Sequence, residues 1–129
     1  MQTHILLVED EKPLREQVAD MLRLEGFDVT EAEDGQAAID LLANKRPHII
    51  LCDVAMPNMD GYEFLVQVRD RGFTKHTPII MLSAKSESKE RIKCYKLGAQ
   101  DYLTKPFNPE ELEELVKKNL FPIHYAVEW

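Results

Sequence analysis

The chain has 129 residues, 44% of them hydrophobic and 30% charged, which is the size and composition of one soluble globular domain with a complete core. Sixteen Lys and Arg against 23 Asp and Glu give a net charge of −7, which argues against nucleic acid as a direct partner held by bulk electrostatics. No apolar run approaches the roughly 20 residues that span a bilayer, and Met1-Gln2-Thr3-His4 has no basic region, so neither a membrane span nor a signal peptide is expected.

Ile5-Leu6-Leu7-Val8 reads as a first strand and ends on the acidic pair Glu9-Asp10. Leu14, Val18, Met21 and Leu22 recur at helical spacing, Pro13 suits a first helical position, and Gly26 stops the helix. Phe27 to Ala32 is a second strand, and Asp34-Gly35 a turn before a short helix carrying Ala38, Leu41 and Leu42. Ile49-Ile50-Leu51-Cys52 is apolar throughout, as a strand buried on both faces should be, and Asp53 follows it directly. Asp60, with Glu63 three residues on, has the form of a capping box for a helix that buries Phe64, Leu65 and Val68. Ile79-Ile80-Met81-Leu82 is a fourth strand. From about Glu87 to Leu97 the pattern is helical again, with Ile92 and Tyr95 on one face and Gly98 as the stop. Leu103 and its neighbours give a short fifth strand, followed by Lys105-Pro106. Asn108-Pro109-Glu110-Glu111 starts a last helix, with Leu112, Leu115 and Val116 as its apolar stripe.

Five strand–helix units in strict alternation imply an α/β doubly wound fold, one parallel sheet with helices on both faces. Such sheets bind ligands outside the carboxyl ends of their strands, where strand order reverses. Glu9-Asp10, Asp53 and Lys105 all lie just after apolar strands, so they converge on that edge. Taken singly, each has a plainer reading: loop acids or a helix cap, turn chemistry, a surface lysine. Together they form a carboxylate cluster that needs a counter-cation, the setting of a hard-metal site. Cys52 and Cys94 are in no metal-ligand spacing and read as reduced thiols of a cytoplasmic protein.

Four segments carry a resemblance: Ile5 to Asp10, Asp53-Val54-Ala55-Met56-Pro57-Asn58-Met59-Asp60-Gly61, Pro78 to Ala84, and Gly98 to Phe107. In order and spacing they resemble the receiver domain of two-component response regulators, of the chemotaxis-regulator-like kind, over roughly Thr3 to Lys118. The resemblance implies a flavodoxin-like sheet of five strands in the order 2-1-3-4-5, with five helices. Asp53 would accept a phosphoryl group from the phosphohistidine of a histidine kinase or phosphotransfer protein. Glu9, Asp10, Asp53 and the backbone carbonyl of Ala55 would hold Mg²⁺, with Mn²⁺ able to take its place. Lys105 would pair with Asp53 and then with a phosphoryl oxygen, aimed by a cis Lys105-Pro106 bond. Ser83 would donate to another phosphoryl oxygen, and Tyr102 would turn inward with it as the switch. The plainer readings are a locally satisfied strand-end hydroxyl and a half-buried edge-strand tyrosine. The fourth helix, fifth strand and fifth helix, with Lys89, Lys93, Lys96 and Tyr102, would form the readout face. Ala55 and Lys85 occupy positions that tune phosphoryl lifetime; neither can activate water here, so self-dephosphorylation should be slow.

The implied role is a signalling switch rather than an enzyme with its own substrate. It would act on a downstream effector or a fused output domain, and the resemblance admits a phosphorylation-linked homodimer. One alternative is a receiver-like interaction module independent of phosphorylation. A flavodoxin-like electron carrier would need a phosphate-cradling loop where Glu9-Asp10-Glu11 stands, and a hydrolase using an aspartyl phosphate would carry a second Asp where Ala55 stands. The receiver is expected over 1–119. Residues 120–129 form an apolar extension: a packed tail, a dimer element or the start of a removed output domain. His124 within it has no companion at metal spacing and reads as a surface or packed histidine.

Overall fold

The apolar runs form strands and the amphipathic segments between them form helices. In the computed structural model, which describes residues 2–71 and 74–120, the order is β1 (His4–Val8), α1 (Lys12–Leu24), β2 (Asp28–Ala32), α2 (Gly35–Leu42), β3 (Ile49–Asp53), α3 (Gly61–Arg69), β4 (Ile79–Ser83), α4 (Ser88–Lys96), β5 (Asp101–Thr104) and α5 (Pro109–Leu120). The five strands are parallel in the order β2-β1-β3-β4-β5. Chain order reverses between β1 and β3, and Val8 stands beside Cys52 there. Asp53 pairs with Leu82 and Ser83 with Thr104, so the functional candidates share one sheet edge.

Alternation along each strand divides the core in two. Leu6, Val8, Ile50, Cys52, Met81 and Tyr102 face the layer of α2, α3 and α4. Ile5, Leu7, Ile49, Leu51, Ile80 and Leu103 face α1 and α5. That split follows from right-handed crossovers: moving outward from β1 in opposite directions puts the helices on opposite faces.

Helix starts follow the sequence with one adjustment. Asp60 accepts from the Glu63 N–H at 2.9 Å, and Asn108 and Glu111 exchange side-chain-to-backbone bonds at 2.8 and 3.2 Å. Asp34, expected in a turn, is the N-cap of α2 and accepts from the Ala37 N–H at 2.7 Å. On α4 the expected face is not the buried one. Ile92 and Tyr95 are 50% and 39% exposed, while Cys94 is fully buried. The helix is otherwise so polar that one small thiol and the partly buried Leu97 suffice to seat it. The extension beyond Leu120, with His124, lies outside the described residues.

Two contacts set the position of α3. At its carboxyl end Arg69 donates to the Gly98 carbonyl from Nε and Nη2, to the Thr74 and Thr77 carbonyls from Nη1, and to Gln100 Oε1 from Nη2. Gly98 has φ of 110°, and a Cβ there would also press on Arg69. At its amino end the Gly61 N–H donates to the Val54 carbonyl at 2.8 Å. A Cβ on Gly61 would lie 2.5 Å from the Asp53 carbonyl oxygen and 2.7 Å from Val54 Cα. Both are backbone atoms that cannot swing aside. Gly61→Ala is therefore expected to cost about 1–3 kcal/mol, the usual range for forced overpacking, read as a lower urea midpoint. An unchanged midpoint would mean that α3 can slide without loss.

Candidate functional site

Each candidate side chain is delivered by a strand end. Glu9 and Asp10 follow β1, Asp53 closes β3, Ser83 closes β4, and Lys105 follows β5. Glu9 and Asp53 are 2% and 6% exposed. Lys105 Nζ donates to Glu9 Oε1 at 2.8 Å and to Asp53 Oδ1 at 3.0 Å, bridging two strands that lack a direct hydrogen-bonded link to its own. The Lys105-Pro106 bond is cis, as the resemblance implied. The Glu11 N–H donates to Glu9 Oε2 at 3.1 Å, and Arg15 Nη1 holds the Glu9 carbonyl at 3.0 Å.

Glu9, Asp10 and Asp53 each offer an oxygen, and these oxygens lie within 4.8 Å of one another. Three hard oxygen donors at that spacing fit a small divalent cation that retains several waters. Asp10 lines an adjoining cleft of about 470 Å³, together with Ala55, Asp60, Tyr62, Ser83 and Lys85 among others. A second concavity, between α1 and the β5–α5 connection, is apolar apart from Gln17 and Lys105.

Burial sets the electrostatics. It raises the Asp53 pKa above its ordinary value despite the lowering effect of Lys105, and the charge of Asp10 adds to the rise. Burial likewise raises Glu9, where Asp53 is the repelling neighbour. Burial works against the Lys105 ammonium, but its bonds to Glu9 and Asp53 outweigh that and raise its pKa. The lysine therefore stays a cation, and the two acids remain short of compensating positive charge.

Ser83 is buried, and its Oγ accepts from the Lys85 N–H at 3.1 Å. Tyr102, placed by sequence on the readout face, is only 3% exposed. Its ring already points inward and its hydroxyl donates to the Lys85 carbonyl. The surface-accessible members of that face are Lys89, Lys93 and Lys96, beside Ile92 and Tyr95. Ala55 is exposed at the cleft wall, and the Lys85 ammonium lies 3.8 Å from Glu90. Sequence reasoning passed over Tyr62, which lines the cleft and donates to Glu90. The available signal was its place at the first turn of a helix opened by Asp60-Gly61 at the site's edge.

The family model for the response regulator receiver domain matches residues 5–117. The phosphate regulon transcriptional regulatory protein PhoB of Escherichia coli is 39% identical over 117 residues, covering 91% of this chain and 51% of that protein. The chain thus spans about half the length of the curated relatives it matches. Among solved structures, the chemotaxis protein CheY4 of Vibrio cholerae superimposes with a TM-score of 0.90 at 34% identity, covering 93% of this chain and all of that one. The receiver domain of a Pseudomonas aeruginosa sensor histidine kinase, described with a magnesium ion coordinated in its active-site cleft, has a TM-score of 0.84 at 35% identity, covering 93% of this chain and 98% of that one. With the sheet order, the strand-end acids and the lysine already in place, the match over residues 5–117 settles the family: this chain belongs to the response regulator receiver domains of two-component signalling.

Proposed function

We propose that Asp53 is the phosphoacceptor of a Mg²⁺-dependent signalling switch. The observation that carries this reading is the Lys105 ammonium held between Glu9 and Asp53, within a group of three carboxylates at the strand-order reversal. In-line phosphoryl transfer asks for positioning and charge neutralisation more than for a strong base. An Asp53 oxygen attacks phosphorus while the P–N bond of a phosphohistidine breaks, and the imidazole nitrogen keeps the electron pair and takes up a proton. Glu9, Asp10, Asp53 and the Ala55 carbonyl would hold Mg²⁺, or Mn²⁺ in its place, which would supply charge neutralisation for the transferring group. Lys105 then follows the phosphoryl group, and Ser83 gives up the Lys85 N–H to donate to a phosphoryl oxygen. Tyr102 responds through Lys85, whose backbone touches both side chains.

The partners in this reading are a cytoplasmic histidine kinase or phosphotransfer protein upstream, and an effector protein or fused output domain downstream. A phosphorylation-linked homodimer remains part of the same proposal. Ala55 has no polar group to orient water, and the Lys85 ammonium cannot act as a base, so the acyl phosphate should be long-lived for its family.

Incubation with Mg²⁺ and acetyl phosphate should add one phosphoryl group to the intact mass. The adduct should be absent in Asp53→Asn and blocked by prior chelation. No adduct with any donor, or with a cognate kinase, would leave the phosphorylation-independent module. Ala55→Asn should speed loss of the phosphoryl group; an equal or slower rate sinks the account of its lifetime. The raised Asp53 pKa also fixes a pH dependence. The folded state binds that proton more tightly than the unfolded chain, whose ordinary value is 3.8. Stability from this group therefore falls as pH rises from there through the folded pKa. A carboxamide cannot ionise, so in chelated buffer the urea midpoint of Asp53→Asn should gain on wild type over that window and then hold its lead. A lead that shrinks with rising pH would contradict the burial argument.

A further inference from the structure

Tyr62 opens α3 directly after Gly61, and its hydroxyl donates to Glu90 Oε2 on α4. Lys93 Nζ sits 3.8 Å from the centroid of the same ring. Glu90 also meets the Lys85 ammonium at 3.8 Å, in the loop 84–87 between β4 and α4. Lys85 in turn accepts the Tyr102 hydroxyl on its carbonyl and gives its N–H to Ser83 Oγ. Arg91, next to Glu90, places its guanidinium 4.9 Å from the centroid of the Tyr102 ring. One run of contacts thus joins α3, α4, the loop and β5.

These links differ in weight. The Lys85 side chain is 60% exposed, and an exposed pair at that distance contributes little by itself. The Tyr62 bond is charge-assisted and sits at the edge of the core, where such bonds are roughly twice as strong as neutral ones. Burial together with the Glu90 charge raises the Tyr62 pKa, and the Tyr62 hydroxyl lowers that of Glu90. Donor and acceptor therefore keep their roles across the physiological range.

We propose that Tyr62 and Glu90 form a clasp between α3 and α4 that fixes the loop carrying Lys85 and so holds Tyr102 inward before any phosphoryl group is present. The clasp rests on the receiver reading for its purpose, since Tyr102 matters as a switch only there. Tyr62 and Glu90 are positioning residues: neither reaches Asp53 through a hydrogen bond of its own among the described residues. The inward ring is otherwise the arrangement expected after phosphorylation, so the clasp sets how far the unphosphorylated protein already occupies it.

The test is ¹³C-tyrosine NMR on the full chain in chelated buffer without a phosphodonor, with the Tyr102 resonance assigned through Tyr102→Phe. In wild type, Tyr102 should be shielded from a soluble paramagnetic agent. In Tyr62→Phe, which removes one oxygen, and in Glu90→Ala, which removes the acceptor, the broadening of Tyr102 by that agent should rise several-fold. Lys89→Ala, which removes an exposed pair with Glu87 and no hydrogen bond to Glu90, should not change it. Alanine is a good helix former, so Glu90→Ala carries the test even if Tyr62→Phe loosens α3. Equal broadening of Tyr102 in wild type and Glu90→Ala overturns the clasp, as does a Tyr102 already accessible in wild type. Phosphoryl uptake by wild type is measured separately: normal uptake with unchanged Tyr102 broadening sinks the clasp alone, and absent uptake sinks the receiver reading.

Discussion

The Lys105 ammonium between two buried carboxylates is the contact on which the rest of the site depends. Two unit charges about 4 Å apart interact by about 4 kcal/mol at an effective dielectric near 20. Desolvation of the three buried groups offsets most of that attraction, so the contact fixes geometry and compensates charge more than it adds net stability. Glu9 and Asp53 could not both stay ionised at 2% and 6% exposure without a cation on them. Lys105 supplies it from outside the β1–β3 pair, and its length is what lets β5 reach the reversal point. The raised pKa values of both acids show that even this compensation is incomplete. A site left short of positive charge is one that a divalent cation can enter, and any ligand that binds only the folded state returns stability by mass action.

Much of this was legible in the chain itself. Apolar runs followed at once by Glu9-Asp10, Asp53 and Lys105 mark strand ends, and alternation with helices places those ends on one edge. The strand order needed more than local pattern. It came from family resemblance, and its physical ground is crossover handedness, which no single segment encodes. What escaped reading were contacts assembled from distant pieces. Arg69 gathers carbonyls from Thr74, Thr77 and Gly98, and no spacing in sequence announces that. Ile92 and Tyr95 had helical spacing, yet α4 seats itself through Cys94, because a helix at a sheet edge needs only a narrow apolar contact. Tyr62 drew no reading from the sequence, since its polar end has a role only with Glu90 beside it.

The close approach of α3 to β3 explains why the loop after Asp53 is built as it is. Gly61 lets the helix start against the Asp53 and Val54 backbone, and Asp60 caps it from one residue earlier. Ala55 and Tyr62 thereby line one cleft. The proposed metal site and the α3–α4 contact are thus tied to one junction, although neither needs the other's atoms.

That junction limits what a phosphoryl group could change. A modification shifts a conformational equilibrium only by the difference in its interactions with the two states. If Tyr102 is already inward, drawing Ser83 toward Asp53 adds little at the ring itself. The larger difference would arise at Lys85, which lines the cleft, pairs with Glu90 and offers its backbone to both Ser83 and Tyr102. A dianionic neighbour on Asp53 would compete with Glu90 for that ammonium, and Glu90 would be left to Tyr62 and the lysines of α4. In the proposed switch the loop and the ring would then respond together, because the Lys85 backbone touches both Ser83 and Tyr102.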